Sequence, residues 1–185
     1  MTLTSSLHRL VDQLDFNDIM CEQAYELFNN YAKSKLANLL FTKELQRRSL
    51  NCCLSSMTTH MLPSIYHHSC RFIIHDPLRL LEQGSPVKCF AVHPGCVRTT
   101  VTRHMSPTMQ FLNTLFAPIV SSLQKTPEQG SYTSVYAATS PDLDAAEGGG
   151  LYFHCQPIHA SRAASDPIAA RSLWTLSEKL TGIHR

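Results

Sequence analysis

Charge is scarce in this sequence and nearly balanced, with 16 Lys and Arg against 14 Asp and Glu and no basic run longer than Arg47-Arg48. Such a chain offers no electrostatic footprint for a phosphate backbone, so nucleic acid is not an expected partner. Long apolar runs are absent too. No stretch approaches the ~20 residues that a membrane-spanning helix needs, and Met1-Thr2-Leu3-Thr4 has neither the charged nor the apolar region of a signal peptide. The expectation is a cytoplasmic protein without a transmembrane segment. Glycine numbers 7 and proline 10 in 185 residues, which excludes collagen-like and low-complexity classes. The 7 cysteines form an odd set with irregular spacing (Cys21, Cys52, Cys53, Cys70, Cys89, Cys96, Cys155), which suits reduced thiols better than a disulfide framework. What is present is a 43% apolar composition of the kind that folds as one globular domain.

Along the chain, the strongest periodic signal runs from about Ala24 to Arg48. Ala32, Leu36, Leu39 and Leu40 fall at i, i+4, i+7 and i+8, while Lys43, Arg47 and Arg48 collect where a helix C-terminus would favour cations. Upstream, Leu3 reads as the tail of a buried strand ending in Ser5-Ser6. Downstream, residues 49–86 hold Cys52, Cys53, Cys70, His60, His67, His68 and His75 with no sustained period apart from a strand-like run at Arg71–His75, and read as an insertion. Val87–His93 is a short strand broken by Pro94-Gly95. Phe111–Val120, interrupted by Pro118, reads as an apolar flap or buried loop-helix. Thr126-Pro127-Glu128-Gln129 predicts a capped helix to about Thr139, and Gly148-Gly149-Gly150 a flexible turn into a strand at Leu151–His154. A last helix from Asp166-Pro167 to Gly182 is expected to bury Ala169, Leu173, Leu176 and Leu180. The alternation of strand and helix implies a mainly parallel sheet covered by helices, with only two complete strands visible.

The sharpest chemical feature is Tyr31-Ala32-Lys33-Ser34-Lys35. Four residues apart on a helix, Tyr31 and Lys35 share a face, and an ammonium near a phenol favours the phenolate, so the pair can serve as an acid or base. A chance Tyr and Lys at this spacing is the plain alternative. Cys52, Cys53, His60, His67, His68, Cys70 and His75 could supply zinc ligands, but adjacent Cys pairs are not C-x-x-C, and a surface insertion is the favoured account, with no metal site assigned.

Tyr31-x-x-x-Lys35 followed by Leu36-Ala37-Asn38-Leu39-Leu40-Phe41, the upstream Ser5-Ser6, and His93-Pro94-Gly95-Cys96-Val97-Arg98-Thr99 resemble the short-chain dehydrogenase/reductase superfamily, and within it the retinol dehydrogenase-like branch. The tail, Leu151-Tyr152-Phe153 and Ala170 to Leu180, looks most like the WW-domain-bearing oxidoreductase of that branch. The resemblance covers about residues 3–48 and 87–182. It implies an α/β, partial Rossmann-type fold with a doubly wound parallel sheet, and an oxidoreductase that uses NADP or NAD. Ser6 matches the serine that holds the substrate oxygen, with an N-cap or turn serine as the alternative. Tyr31 matches the general acid/base, and Lys35 the lysine that lowers its pKa and bonds the nicotinamide ribose. Pro94 and Gly95 match the turn that approaches the nicotinamide, Val97 would bond its carboxamide through main chain, and Thr99 would reach the amide or phosphate. Thr99 and Thr100 could equally be caps, and His93 a packed strand-end residue. The branch also implies a lipophilic alcohol or carbonyl substrate, such as a retinoid or steroid, and a homodimer through the Tyr31 helix.

The departures carry equal weight. The family's Gly-rich turn of the T-G-x-x-x-G-I-G kind, which binds the cofactor pyrophosphate, has no counterpart here, nor does its Asn-Asn-Ala-Gly motif, the residue that separates NAD from NADP, or any WW module. Residues 1–185 are therefore expected to form a single partial domain, the C-terminal catalytic half, with an insertion at 49–86 and doubtful activity by itself. A non-enzymatic role, as an interaction or interfering partner of a dehydrogenase dimer, is the alternative, and a metal-binding protein built on the insertion a weaker one.

Overall fold

The structure, a computed structural model, describes residues 1–23, 25–59, 87–98 and 124–182, and of residues 51–59 the backbone alone. Among the described residues its sheet has four strands, in the order β1 (Thr2–Leu3), β2 (Ala91–His93), β3 (Leu151–Phe153) and β4 (Gln156–Ile158). β1, β2 and β3 run parallel, in the register Leu3 opposite Val92 and Val92 opposite Tyr152, and β4 folds back antiparallel on β3. β4 was not foreseen. The β3–β4 turn depends on His154 and Cys155 at φ of 53° and 59°, conformations that neither residue type announces. The strand expected over Val87–His93 is regular only at Ala91–His93, and it lies between β1 and β3. It is paired on both sides, and among the described residues the edge strands are β1 and β4.

Strand periodicity sorts the core onto two faces. Ala91 and Leu151 point to a cluster with Ala32, Leu36, Leu39 and Leu40 of α1 (Leu27–Thr59) and Ala170 and Leu173 of α3 (Pro167–Thr181). Val92 and Tyr152 point the other way, to Phe90, Leu143 and Ala137 of α2 (Pro127–Thr139). Helices therefore cover both faces, as a doubly wound sheet requires.

The helix ends show what sequence signals can carry. α2 starts as predicted, because Thr126 and Gln129 form a reciprocal capping box with Pro127 at the first helical position. α3 likewise runs from its Asp166 cap to Gly182, which takes a φ of 71° at the C-cap. Its buried stripe differs from the expected one: Ala170, Leu173 and Trp174 are buried, while Leu180 is 65% exposed. Trp174 draws the helix round by stacking on Phe41 of α1, ring centroids 5.4 Å apart, under the Arg48 guanidinium. α1 continues eleven residues past the predicted Arg48 end, to Thr59. Arg47 and Arg48 therefore sit in mid-helix, where both bind Glu44 at the preceding turn, at 2.6 and 2.8 Å.

The Gly148–Gly150 run has a steric cause beyond flexibility. A Cβ at Gly148 would stand 1.9 Å from the Gln46 Oε1 atom, which accepts the Cys89 N–H at 2.6 Å. A side chain there would have to displace Gln46 from that bond. The run at Arg71–His75 and the flap at Phe111–Val120 lie outside the described residues.

Candidate active site

The carboxyl ends of parallel strands are where α/β sheets place their sites, and most of the predicted residues converge there. β1 ends at Leu3, and two bonds fasten its exit to α1: the Thr4 hydroxyl donates to the Lys35 carbonyl at 2.9 Å and the Asn38 amide donates to the Leu3 carbonyl at 2.8 Å. The chain then turns into a 3-10 helix, Ser6–Leu10, capped by the Ser5 hydroxyl, which accepts the Leu7 N–H. Ser5, not Ser6, fills the capping role. The exposed Ser6 side chain makes no hydrogen bond among the described residues.

On α1, Tyr31 and Lys35 share a face as their spacing predicts. The Lys35 ammonium lies 5.3 Å from the Tyr31 ring centroid, within cation–π range. Tyr31 is 42% exposed, so its hydroxyl is accessible to a reactant, and the half-buried Lys35 stem is held by the same turn whose carbonyl receives Thr4.

β2 ends beside β1, and Pro94-Gly95 follows. Gly95 takes a φ of +91°, a conformation that favours glycine, and the Lys125 side chain packs 3.2 Å from where a Cβ would be. Cys96 and Arg98 use their main chain to pair with Lys125, at 2.8 and 2.9 Å, in a parallel bridge centred on Val97. In that pattern the N–H and C=O of Val97 itself point to the opposite side, where no described residue bonds them. His93 ties the two strand ends together. Its Nδ1 accepts the Gly95 N–H at 3.4 Å, its ring interacts with the Thr4 main chain, and it stacks on Phe153 at 4.7 Å. Burial pushes its imidazole below the usual value; the Thr4 bond opposes this, and the nearby Lys125, His8 and His154 add to it.

The structure thus brings Ser6, Tyr31, Lys35, Pro94, Gly95 and Val97 to one end of the sheet. Thr99, Thr100 and the Cys/His-rich stretch from His60 to His75 lie outside the described residues. Among the described residues no group of His, Cys, Asp and Glu could hold a metal ion. Sequence reasoning missed His8, Asn38 and Lys125: Asn38 meets Leu3 35 residues away, His8 meets Ser161 153 residues away and Lys125 pairs across a bridge, so no local spacing marks them. The residues fit the nicotinamide–ribose end of a dinucleotide: a hydroxyl and an ammonium on one helix face, a glycine turn without Cβ, and an outward main-chain pair at Val97. Nothing in the sequence supplies the Gly-rich turn for the pyrophosphate.

No family model matches the chain. Individual proteins do. It is 30% identical over 184 residues to retinol dehydrogenase 14 of Homo sapiens, covering 99% of this chain and 44% of that protein. It is 31% identical to retinol dehydrogenase 12 of Homo sapiens (97% and 44%) and 32% identical to the WW domain-containing oxidoreductase of Danio rerio (97% and 36%). A crystal structure of an uncharacterised protein from Mycobacterium paratuberculosis superposes with a TM-score of 0.56 at 26% identity, covering 97% of this chain and 48% of that one. The chain spans less than half the length of these relatives.

Proposed function

From a chain that belongs to the retinol dehydrogenase-like branch of the short-chain dehydrogenase/reductases, we propose that residues 1–185 carry the proton-transfer half of an NAD(P)-dependent oxidoreductase acting on a lipophilic alcohol or carbonyl compound, a retinoid or steroid among the candidates. The observation that carries the reading is the accessible Tyr31 with the Lys35 ammonium over its ring, beside the exposed Ser6. A nicotinamide dinucleotide, when bound, supplies the two-electron chemistry, and NAD and NADP are equally compatible with the residues present.

The chain's own residues divide the remaining work. Tyr31 gives or takes the proton at the substrate oxygen, which asks for a hydroxyl open to the reactant. Ser6 donates a hydrogen bond to that oxygen and holds it in reach. Lys35, its ammonium over the Tyr31 ring, binds the ribose hydroxyls. Pro94, Gly95 and the main chain of Val97 receive the nicotinamide, with Thr99 following. The same reading sets the chain in the cytoplasm. Among the described residues no helix is long and apolar enough to cross a membrane.

Taken alone, the 185-residue chain should bind no dinucleotide tightly, because it contains no Gly-rich turn to anchor the pyrophosphate. Losing about 4 kcal/mol of that anchoring weakens binding a thousandfold. Titrating the purified chain with NADH and NADPH while following fluorescence tests this. No saturation is expected below about 10 μM, and saturable binding there, or turnover of any alcohol or aldehyde, would require an anchoring site elsewhere. Joining the chain to the nucleotide-binding half of a relative should restore binding; failure to restore it counts against the redox reading.

A second reading rests on a different observation. Tyr25, Leu27 and Phe28, at the opening of α1, are 74%, 46% and 53% exposed beside Tyr31. An apolar cluster of this kind suits association, either as a homodimer through the Tyr31 helix or as an interfering partner of a longer dehydrogenase. Sedimentation of the chain and of a Phe28→Asp variant separates this from a monomer.

A further inference from the structure

His8 is fully buried, 0% exposed, in the turn that carries Ser6. Both ring nitrogens are engaged. Nδ1 lies 2.6 Å from the Ser5 carbonyl, which also accepts the His8 main-chain N–H at 3.1 Å. Nε2 accepts the main-chain N–H of Ser161 at 3.3 Å, from the segment between β4 and the 3-10 turn Ala163–Ser165. A carbonyl can only accept and a main-chain N–H can only donate, so the partners fix the tautomer: proton on Nδ1, lone pair on Nε2. The Arg9 guanidinium makes a second tie between the same two segments by donating to the His159 carbonyl.

We propose that His8 is the positioning residue of the Ser5–Ser6 turn: the neutral, Nδ1–H imidazole holds the peptide that joins the two serines and fastens it to Ser161. A protonated ring carries a hydrogen on Nε2 as well, which meets the Ser161 N–H donor to donor and breaks that tie. The bearing of this clamp on catalysis rests on the role proposed above for Ser6; the clamp itself does not.

The surrounding charges favour the neutral ring. Arg9 on its own turn and His93 at the end of β2 interact with it, and His159 and Arg162 lie within two residues of its partner Ser161. Among the described residues no ion pair involves His8. Burial lowers its pKa, the Ser5 bond partly restores it, and Arg9 lowers it again. The folded protein then binds fewer protons than the unfolded chain between the depressed value and the ordinary value near ~6.5. The clamp's contribution is complete above the ordinary value and is lost as pH falls through the folded one.

Nitrogen-15 spectroscopy of the full chain between about pH 8 and pH 5, with hydrogen exchange at Ser161, tests the proposal. The expected result is an Nδ1–H ring for His8 and a Ser161 amide exchanging at least about tenfold more slowly than in His8→Phe, a bond worth about 1.4 kcal/mol. As the ring protonates, that protection is lost and the Ser6 resonances move with the same midpoint. His8→Asn, whose amide can still donate to the Ser5 carbonyl, should keep the Ser6 resonances near their neutral positions at every pH while leaving Ser161 unprotected. An Nε2–H ring, Ser161 protection that persists through the titration, or Ser6 resonances indifferent to it would overturn the proposal. If His8→Phe does not fold, the unsubstituted protein compared with itself across pH still decides. None of these measurements needs turnover, so they stand or fall separately from the redox reading.

Discussion

The two ends of the parallel sheet treat their polar side chains in opposite ways. At the amino end, Glu44 is 2% exposed and takes hydrogen bonds from both Arg47 and Arg48; the Arg47 bond chiefly holds its carboxyl below the ordinary value. Gln46 receives the Cys89 N–H, the buried Ser49 hydroxyl donates to the Val87 carbonyl at 3.0 Å, and the Trp174 indole donates to Glu178. There each polar group is satisfied within the fold, as buried polar groups must be. At the carboxyl end, Ser6 and Tyr31 are exposed with hydroxyls that no described residue engages, and no described residue bonds the outward main chain of Val97. Polar groups of similar type thus hold the structure together at one end and are left for a ligand at the other. What separates them is whether the fold has used their hydrogen bonds.

That contrast predicts opposite phenotypes. The largest effect belongs to Tyr31→Phe in the chain joined to a relative's nucleotide-binding half: turnover should fall by about a hundredfold or more, with dinucleotide affinity and melting temperature nearly unchanged. A Phe variant that keeps more than about a tenth of the rate would remove Tyr31 from the proton transfer. Lys35→Ala should weaken affinity and rate together, since one ammonium serves the ribose and stands over the Tyr31 ring, and a loss of rate alone would break that double role.

Next in size is Glu44→Ala at the amino end, which takes the carboxylate from Arg47 and leaves Arg48 only its 3.6 Å contact with Glu178 and the Trp174 ring, and should lower stability by about 2 kcal/mol in denaturant titration without altering dinucleotide binding. Arg47 and Arg48 remain partly exposed and can recover water, which keeps the loss below that of a fully buried pair. Gly148→Ala should cost about 1–2 kcal/mol, because the new methyl displaces Gln46 from the Cys89 N–H. In Gln46→Ala the same substitution should cost much less, and equal losses in the two backgrounds would show that the glycine is needed for another reason.

The smallest effect sharpens the account of residues 49–86. Ser49 and Val87 are hydrogen-bonded, so the chain leaves and re-enters the described core at one place. We propose that the stretch between them is a passive insertion, and deleting about residues 50–84 should shift the melting temperature by only a few degrees. A sharp drop, or stoichiometric zinc in the purified protein that depends on Cys52, Cys70 or His67, would count against this.

Much of this was legible in the sequence wherever the information is local. The α1 stripe at Ala32, Leu36, Leu39 and Leu40 is buried as its period required, and the caps at Thr126, Asp166 and Gly182 sit where their chemistry placed them. Tyr31 and Lys35 needed only a helix to become neighbours. The branch of relatives was legible from motif order, and the comparisons agree with it. The end of α1 was misjudged because Arg47 and Arg48 look the same at a helix terminus as in mid-helix beside a buried Glu44.

The sequence by itself therefore determined the elements whose causes lie within a turn or two: amphipathic period, caps, and the Tyr31–Lys35 face. Tertiary structure alone decided the rest. The stripe of α3 turned to Trp174 because Phe41 and Arg48 of another helix wait there, Gly148 is bare because Gln46 passes it, and β2 is central because β1 and β3 flank it. His8 gained its two partners only when Ser161, 153 residues later, was folded against it. Hydrogen bonds and packing act over a few ångströms and take no account of distance along the chain, so contacts between remote segments leave no periodic trace in either one.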